Sequence, residues 1–416
     1  PIRVGREDAR VGAAPPAQPI LASDSDDAEE GSMGMVSWGL AVPERHISLV
    51  VMVVILLLGF GLRVYRLGHQ ELRGDEAFSF NFTQYELGRV VPELIEQGDP
   101  HPPLHYLLLN VWTDAAGESE FALRYLSAAA GVLFLAALYA LGRRMGGAAG
   151  GMMTGLIAAG LAALSPGLVW LAQDARNQYA LVLVFVSLAT LVIVTPPRKP
   201  RVYWTLYFIA CLLTAYTHYY GALVLAVHGL YLWLAPGRRR DLVPWAITGL
   251  LALVALGVWL AAASSGVLTA GQLADPSQPD LARHLTTIGR DLVIGQSLGE
   301  RIGRWLFVLF AGLAVGGVVA LVRSGRAAWA AMLAAWVLFG AYAIFLVRFN
   351  RGTFNSFYGS VIAPAWWLLI SAAAVAWLRR SGRQHVVVGL LLLAYAFVAG
   401  LALRNYYFDP QYSRSL

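Results

Sequence analysis

Apolar stretches long enough to cross a lipid bilayer recur along the whole chain, separated by short polar connections. They occupy residues 46–62, 125–141, 148–168, 178–194, 202–217, 219–234, 243–263, 305–322, 327–347, 357–378 and 386–403. Gly147, Gly151 and Gly155, at a spacing of four, predict close packing of helices. Because a transmembrane helix needs about 20 mostly apolar residues, the pattern predicts an all-α polytopic membrane protein with about eleven transmembrane helices.

Composition and charge support a membrane protein and argue against other classes. Hydrophobic residues make up 58% of the 416 residues, charged residues make up 13%, and the mean hydropathy is +0.59, which excludes a soluble globular protein. The net charge of +6 is carried by short arginine clusters between the apolar stretches, so we expect no nucleic-acid partner. Cys211 is the single cysteine, which excludes intrachain disulfides and cysteine-based metal sites.

The basic clusters predict the orientation of the chain. They lie at 143–144, 198–201, 238–240, 323–326 and 379–383 and alternate with acidic or aromatic connections. The positive-inside rule places these clusters in the cytoplasm. We therefore expect a multi-pass protein of the plasma (inner) membrane, with a cytoplasmic N-terminus and an active site on the outer or periplasmic face.

The first outer segment, residues 63–124, concentrates acidic side chains. It holds ten of the 25 Asp and Glu residues, so chemistry that needs carboxylates is expected there. The apolar stretch 104–113 is too short to span a bilayer, and counting it as a span would move every later basic cluster to the outer side. We predict an interfacial or shallow re-entrant helix over 101–116, preceded by an amphipathic outer-face helix over 76–97.

Three further regions complete the predicted organisation. Residues 1–45 are polar and rich in Pro, Ala and acidic residues, which predicts a disordered cytoplasmic tail. Residues 46–403 form the predicted transmembrane domain, which contains a second outer loop at 264–304. Residues 404–416 form a predicted C-terminal stub on the outer face.

An acidic pair, Asp75 and Glu76, follows the first apolar stretch within the sequence Gly-Asp-Glu-Ala. Carboxylates are costly near a bilayer, so a pair at its surface indicates a function. A carboxylate can accept the proton of a hydroxyl nucleophile as a new bond forms. The alternative is that Asp75 is the N-cap of a helix that begins at Glu76, where acidic side chains are favoured.

Arginines on the outer side run against the positive-inside preference and are candidates for phosphate binding. They are Arg124, Arg176, Arg348 and Arg351. A guanidinium can bind a phosphate by two parallel hydrogen bonds while its aliphatic stem lies along apolar surface. The alternative is an arginine that pairs with a neighbouring acid or is anchored among lipid headgroups.

Two outer histidines, His101 and His218, are candidate ligands of a divalent metal ion, and an acid such as Asp75 could complete the site. They occur in the sequences His-Pro-Pro and Thr-His-Tyr-Tyr-Gly. Neither lies in a metal-binding motif of defined spacing, so the alternative is a pair of structural histidines.

Five short motifs, in order along the chain, resemble those of bacterial GT-C glycosyltransferases. They are Gly-Asp-Glu-Ala at 74–77, His-Pro-Pro-Leu-His-Tyr at 101–106, Gly-Glu-Ser-Glu-Phe-Ala-Leu-Arg at 117–124, Gln-Asp-Ala-Arg-Asn-Gln-Tyr at 173–179 after Ser165-Pro166, and Thr-His-Tyr-Tyr-Gly at 217–221. The resemblance covers residues 46–370 and is to the protein-O-mannosyltransferase and aminoarabinose-transferase superfamily.

This resemblance implies a GT-C helical bundle that transfers a sugar with inversion at the outer face of the membrane. The donor would be a polyprenyl-phosphate-linked sugar, and the acceptor a lipid, a glycan or a protein. By motif match, Asp75 is the catalytic carboxylate and Glu76 its partner. Arg124, Arg176 and Tyr179 match positions near the lipid phosphate.

The resemblance also bears on the metal. His218 matches a ligand histidine of the relatives, whereas His101 stands where relatives can carry a metal-ligating acid. Use of a divalent metal therefore stays open, and no other cofactor is expected.

Two other function classes are compatible with many transmembrane helices. A transporter or lipid flippase usually places paired charges near the bilayer midplane and often contains inverted repeats. Here the charges cluster in outer loops, and no repeat is visible in the sequence. A non-catalytic subunit with this fold would be indicated by loss of the acidic pair, which is present. We therefore expect a membrane glycosyltransferase.

Overall fold

Helices make up all the regular secondary structure of the residues that the computed structural model describes, which are 44–99, 101–197, 199–263, 281–351, 356–380, 382–409 and 411. The α-helices are α1 (Glu44–Val64), α2 (Gly74–Asn81), α3 (Leu87–Glu96), α4 (Leu104–Ala116), α5 (Glu120–Leu164), α6 (Pro166–Leu171), α7 (Gln178–Ile193), α8 (Pro200–Thr217), α9 (Leu223–Leu234), α10 (Leu242–Ala262), α11 (Leu281–Ile294), α12 (Glu300–Arg323), α13 (Ala327–Arg351), α14 (Ala363–Leu378) and α15 (Arg383–Phe408). Short 3₁₀ helices cover Phe82–Gln84, Tyr219–Ala222, Arg239–Asp241 and Ser356–Ile362. The predicted all-α fold is confirmed.

Seven helical segments within the described ranges are long and apolar enough to cross a membrane. They are His46–Val64, Glu120–Ala148, Arg239–Ala262, Glu300–Arg323, Ala327–Leu346, Tyr358–Leu378 and Arg383–Phe408, and shorter apolar helices cover Gly150–Leu164, Gln178–Ile193 and Tyr219–Leu234. Large apolar side chains such as Leu57 and Val243 are exposed, as expected of helices that face lipid. The chain is an integral multi-pass membrane protein, and the count of eleven spans stays a prediction.

The helix α5 consists of two antiparallel halves that meet at Gly147. That residue has φ 63° and ψ −165°, a conformation that suits glycine because it has no Cβ. The two halves then pack backbone against backbone. A Cβ on Gly142 would come within 2.6 Å of the Cα of Gly155, and a Cβ on Gly151 within 2.1 Å of the carbonyl oxygen of Arg143. The predicted close helix packing is confirmed at Gly151 and Gly155, whereas Gly147 forms the turn between the two halves.

The first half of α5 separates the two ends of the helical bundle. Near its start, the hydroxyl of Ser127 donates to the carbonyl oxygen of Asp174 at 2.5 Å. A helix from Glu120 to the reversal at Gly147 rises about 40 Å, which is enough to cross a bilayer. The end of the bundle that contains Asp174 and the end that contains Gly147 are therefore on opposite sides of the membrane-spanning region.

The prediction of one continuous amphipathic helix over 76–97 is wrong. The structure has α2, a 3₁₀ turn and α3 in this range. The backbone is extended at Tyr85, with φ −94° and ψ 152°. Where the helix breaks, Nδ2 of Asn110 donates to the carbonyl oxygens of Phe82 and Tyr85 at 3.1 and 2.9 Å. Carbonyls at a helix end need such partners. The predicted apolar face is still present, since Phe82 and Val90 are both buried.

The helix α4 lies within the stretch 101–116 that the sequence predicts to be helical without crossing the membrane. Its 13 residues are too few for a span. One face carries the buried side chains of His105, Tyr106 and Leu109. This face packs towards the rest of the protein, while the depth of α4 in the membrane stays a prediction.

Several predicted regions lie wholly or partly outside the described residues. These are residues 1–43 of the predicted tail, residues 264–280 of the second outer loop, and residues 410 and 412–416 of the predicted stub. In the described part of the loop, α11 is present, and Ser165 Oγ donates to the carbonyl oxygen of Leu292 within it at 2.8 Å. The last helix continues past residue 403 to Phe408.

Candidate active site

Asp75 and Glu76 are neighbours in α2, but their side chains have opposite surroundings. The side chain of Asp75 is 62% exposed, whereas Glu76 is fully buried. Consecutive residues of a helix point about 100° apart, so one carboxylate reaches the surface while the other turns inward. The helix begins at Gly74 with Arg73 as its N-cap, so the alternative interpretation of Asp75 as the N-cap is wrong.

The carboxylate of Glu76 accepts hydrogen bonds from three parts of the chain. Its Oε1 accepts from Nε of Arg124 and from the backbone N–H of Ala175, both at 2.9 Å. Its Oε2 accepts from Nη2 of Arg124 at 2.9 Å and from the backbone N–H of Arg73 at 3.1 Å. Glu76 therefore joins α2 to the start of α5 and to the loop before α7.

Arg124 uses all five of its N–H groups within the protein. Besides its two bonds to Glu76, its Nη1 donates to the carbonyl oxygens of Leu67 and Gln70 at 3.0 and 2.8 Å, and its Nη2 donates to that of Glu71 at 3.0 Å. A guanidinium has no further donor. This geometry argues against the predicted phosphate-binding role of Arg124 and the predicted catalytic role of Glu76, because both groups are already satisfied.

Asp75 pairs across the site with Arg176. Its Oδ2 accepts a hydrogen bond from Nη1 of Arg176 at 2.9 Å. The guanidinium is 11% exposed, and its buried Nε has no hydrogen-bond partner within the part of the chain that the structure describes. Burial disfavours its charged form, but Tyr179 and the neighbouring carboxylates raise the pKa of Arg176 above its ordinary value. Arg176 is therefore a permanent positive charge with an N–H available.

Asp99 fixes the orientation of His101. Its Oδ1 lies 2.7 Å from Nδ1 of His101 and accepts from the backbone N–H of His101 at 2.8 Å, and its Oδ2 accepts from the hydroxyl of Tyr106. Burial opposes ionisation of Asp99, but the hydrogen bonds from His101 and Tyr106 outweigh it and lower the pKa of Asp99 to about 2. Because an ionised carboxylate only accepts, Nδ1 of His101 carries a proton.

The other ring nitrogen of His101 faces Arg176. Its Nε2 lies 3.3 Å from Nη2 of Arg176. A guanidinium only donates, so Nε2 is the acceptor in this contact. A chain of hydrogen bonds thus runs from buried Asp99 through His101 and Arg176 to exposed Asp75.

Aromatic side chains line the site beside Arg176. The ring of buried Tyr179 lies 5.8 Å from that of His218 and 6.4 Å from that of Tyr358. His218 accepts on Nδ1 from the backbone N–H of Tyr220 at 3.3 Å, and its Nε2 is buried without a hydrogen-bond partner among the described residues. Burial is the main cause that lowers the pKa of His218 to about 3, so its imidazole is neutral.

The arrangement does not favour a metal ion at the two predicted histidines. Among the residues that the structure describes, no group of three or more His, Cys, Asp or Glu side chains could hold a metal ion. Nδ1 of His101 is committed to Asp99, and its Nε2 faces the cation of Arg176. An ion on that nitrogen would displace the guanidinium, so in this arrangement neither ring nitrogen of His101 is available to a metal.

The structure does not describe the side chains of the other two predicted phosphate-binding arginines. Arg348 and Arg351 are in the last turns of α13, and their side chains lie outside the described residues. Their predicted role is therefore untested. The predicted site residues that do come together at one end of the bundle are Asp75, His101, Arg176, Tyr179 and His218.

One family model and several solved structures match the chain. The family model of dolichyl-phosphate-mannose-protein mannosyltransferases matches residues 100–261. The structure is similar to the Archaeoglobus fulgidus oligosaccharyltransferase in the apo form, with a TM-score of 0.57 and 15% identity over 87% of this chain and 56% of that one. It is also similar to ArnT from Cupriavidus metallidurans bound to undecaprenyl phosphate, with a TM-score of 0.52 and 19% identity over 85% of this chain and 64% of that one. The chain has the GT-C fold.

The predicted resemblance to the GT-C superfamily is confirmed by these matches. No curated protein matches the sequence of this GT-C chain. The chain spans 56% to 64% of the length of the two solved GT-C proteins. The identities are low, so the similarity establishes the fold, and activity, substrates and partners follow only as proposals.

Sequence reasoning missed several residues of this GT-C site, chiefly Asp99, Asp174 and Tyr358. Asp174 accepts from Nη2 of Arg73 at 2.6 Å and from the backbone N–H of Arg176 at 2.9 Å, so it supports the loop that carries Arg176. The sequence could have indicated Asp99, which lies two residues before His101 in the acid-rich segment. Tyr358 carries no such signal, because only the tertiary fold brings it to the site.

Proposed function

We propose that this chain is an inverting membrane glycosyltransferase that moves a sugar from a polyprenyl-phosphate-linked donor to an acceptor at the outer face of the membrane. The observation that carries the proposal is the pair Asp75–Arg176. It combines an exposed carboxylate with a largely buried guanidinium, at 2.9 Å from each other. The reaction needs these two groups side by side, one to take a proton and one to hold the departing phosphate.

Asp75 acts as the general base. The acceptor hydroxyl attacks the anomeric carbon, its oxygen forms the new glycosidic bond, and its proton passes to Asp75. The bond from the anomeric carbon to the phosphate oxygen breaks, and polyprenyl phosphate leaves. A single displacement of this kind inverts the anomeric centre. The exposure of Asp75 supports this role, since a base must be reached by the acceptor.

Arg176 binds the donor phosphate and stabilises the charge that grows on it as the bond breaks. Its unpartnered Nε supports this role, because a buried N–H without an acceptor is costly unless a ligand supplies one. The buried Tyr179 beside it borders the same space. In the absence of donor, Asp75 occupies Nη1 of Arg176, and the arriving phosphate would compete for that bond.

The outer-face location rests on the arrangement of charges along α5. Asp75 and Arg176 lie at the end where α5 begins, and basic residues such as Arg326 and Arg379 lie at the other end, against the reversal at Gly147. The positive-inside rule assigns the arginine-rich end to the cytoplasm. The acidic site then faces the periplasm, and the N-terminus lies inside.

The predicted divalent metal at His101 and His218 stays a prediction, and no step of the proposed reaction depends on it. Arg176 supplies the positive charge at the phosphate. Asp99 and His101 hold the guanidinium in place by their hydrogen bonds.

A transporter or flippase remains the alternative function, and the position of the charged groups disfavours it. The paired charges lie at one end of the bundle, whereas a transporter usually binds its substrate near the midplane. Donor turnover separates the two functions directly.

The test is transfer activity in proteoliposomes supplied with a panel of radiolabelled polyprenyl-phosphate sugars and with envelope lipid, glycan and peptide acceptors. We expect one donor to be consumed with release of polyprenyl phosphate by the wild-type chain and not by the Asp75→Asn variant. Movement of intact donor across the bilayer, without cleavage in either protein, would overturn the proposal in favour of a flippase.

A further inference from the structure

A basic cavity lies at the end of the bundle opposite the candidate active site. It has a volume of about 650 Å³ and lies between the reversal of α5 and the C-terminal ends of α12 and α14. Four arginines line it, namely Arg323, Arg326, Arg379 and Arg380. No lining residue is acidic.

These arginines have no protein counter-charge in the part of the chain that the structure describes. None of its ion pairs involves any of the four. Like charges that share one cavity repel each other, and the repulsion is stronger where protein and lipid lower the dielectric constant. A bound anion would remove this repulsion.

Two of the guanidinium groups converge on the reversal of α5. A Cβ on Gly147 would come within 2.8 Å of Nη2 of Arg326, and a Cβ on Gly150 within 2.4 Å of Nη2 of Arg379. Glycine at these positions therefore lets both side chains lie against the backbone. The tips of Arg326, from the connection after α12, and Arg379, from the end of α14, are thus brought to neighbouring points of one wall.

Apart from Thr154 and Ser324, the other lining residues of the cavity are apolar. Val315 and Ala372 line it about two turns before the ends of α12 and α14, with Val319 and Ala376 nearer those ends. A ligand that fills this cavity would place an anionic group among the arginines and an apolar chain along these residues. This combination describes a lipid with an anionic headgroup rather than a fully polar molecule.

We propose that this cavity binds the phosphate group of an anionic phospholipid from the cytoplasmic leaflet. Guanidinium groups recognise phosphate oxygens by paired, charge-assisted hydrogen bonds. The site is distinct from the proposed donor site, because α5 separates the two by the thickness of the membrane. The lipid would hold the ends of α12 and α14 against the α5 reversal.

Native mass spectrometry of the full chain in detergent tests this proposal, with phosphatidylglycerol, phosphatidylcholine and inorganic phosphate as probes. We expect one phosphatidylglycerol to be retained at least about tenfold more tightly than phosphatidylcholine, and not to be displaced by millimolar inorganic phosphate. Equal retention of both lipids would overturn the proposal. Displacement by inorganic phosphate would assign the cavity to a soluble phosphate instead of a lipid and would also overturn it.

A pair of matched double variants localises the binding. Arg326→Gln with Arg379→Gln should weaken phosphatidylglycerol retention at least about tenfold. Arg143→Gln with Arg144→Gln removes the same charge from exposed positions that do not line the cavity, and should change retention less than about twofold. Equal losses in both would indicate general surface attraction and refute a defined site. If the Arg326→Gln, Arg379→Gln variant does not fold, the competition between phosphatidylglycerol, phosphatidylcholine and inorganic phosphate for the wild-type chain still tests the proposal.

Discussion

Arg124 holds Glu76 by two parallel hydrogen bonds of 2.9 Å, although the two residues lie near the starts of different helices and are 48 positions apart. The pair is buried, and the rest of the guanidinium is bonded to the carbonyl oxygens of residues 67–71. The pair therefore sets where α2 begins relative to α5. It fixes the direction of Asp75, the residue directly before Glu76 in the same helix.

Replacement of Glu76 should reduce stability more than it reduces any chemical step. Glu76→Gln leaves the buried guanidinium of Arg124 without its counter-charge, and we expect a loss of ~3–5 kcal/mol in the free energy of unfolding. Thermal unfolding in detergent measures this. Glu93→Gln is the control, because it breaks the exposed pair Arg89–Glu93 and should cost less than ~1 kcal/mol. Equal thermal shifts in the two variants would contradict the structural role.

Replacement of Asp75 should reduce the rate of transfer and leave stability unchanged, the opposite of what we expect for Glu76. Asp75→Asn keeps the size of an exposed side chain, so we expect unchanged thermal stability and a loss of transfer on the order of 10²-fold or more. Turnover in proteoliposomes checks this, with Asp114→Asn as an exposed acid of the same outer segment that should retain full activity. Near-normal turnover by Asp75→Asn would show that Asp75 is not the general base.

Arg176 should affect both donor binding and turnover, since negative charge on the phosphate grows as the glycosidic bond breaks. Arg176→Lys keeps the charge but loses the planar pair of donors, so it should retain partial activity, and Arg176→Ala should be much worse. The dependence of rate on donor concentration measures both effects. Arg89→Ala, at an exposed arginine of the outer segment, is the control. Kinetics of Arg176→Ala that match the wild type would assign this residue to structure or to headgroup anchoring.

Because of Asp99, the stability of the folded protein should depend on pH in the acidic range. Its folded pKa of about 2 is below the value of about 3.9 of an unperturbed Asp. The ionised group therefore contributes stability that is complete above about pH 4 and is lost as the pH falls through about 2. Melting temperatures measured between pH 5 and pH 2.5 should fall less steeply in Asp99→Asn than in the wild type. Parallel curves would show that Asp99 is not held ionised by His101 and Tyr106.

Cysteine labelling tests the topology. In a Cys211→Ala background, which removes the buried native thiol, Asp114→Cys should react with an impermeant reagent from the outside. Ala148→Cys, an exposed position beside the reversal of α5, should react only from the inside. The expectation follows from the basic clusters near Gly147 and from the short length of α4. Labelling of Asp114→Cys only after permeabilisation would overturn the assigned orientation.

The fold could be predicted from the sequence largely because membrane helices are coded by local composition. The helices α7 and α10 coincide with apolar stretches to within a few residues. The break between α2 and α3 could not be predicted, because Asn110 stabilises it from a different helix. Local periodicity contains no information about such a partner.

The candidate site was predictable in its residue types but not in their division of roles. The motifs identified Asp75, Glu76, Arg124 and Arg176 together. They could not reveal that Glu76 and Arg124 satisfy each other in the interior, while the largely buried Arg176 pairs with the exposed Asp75. That distinction depends on which side of a helix each residue occupies and on which distant backbone carbonyls lie nearby, such as that of Leu67.

The burial of Glu76 has a consequence for the kinds of donor that this protein could use. Of the carboxylates that contact Arg176 or its supporting residues, Asp75 is exposed, while Asp99 and Asp174 are buried and already bonded. Hydrolases and transferases that cleave simple glycosides need a second carboxyl group to protonate the departing oxygen. With one accessible carboxylate among the described residues at this site, no second carboxyl group is available to protonate the leaving group while Asp75 acts as the base. It therefore suits sugars whose leaving group departs as a stable anion, and phosphate-activated sugars meet that requirement where ordinary glycosides do not.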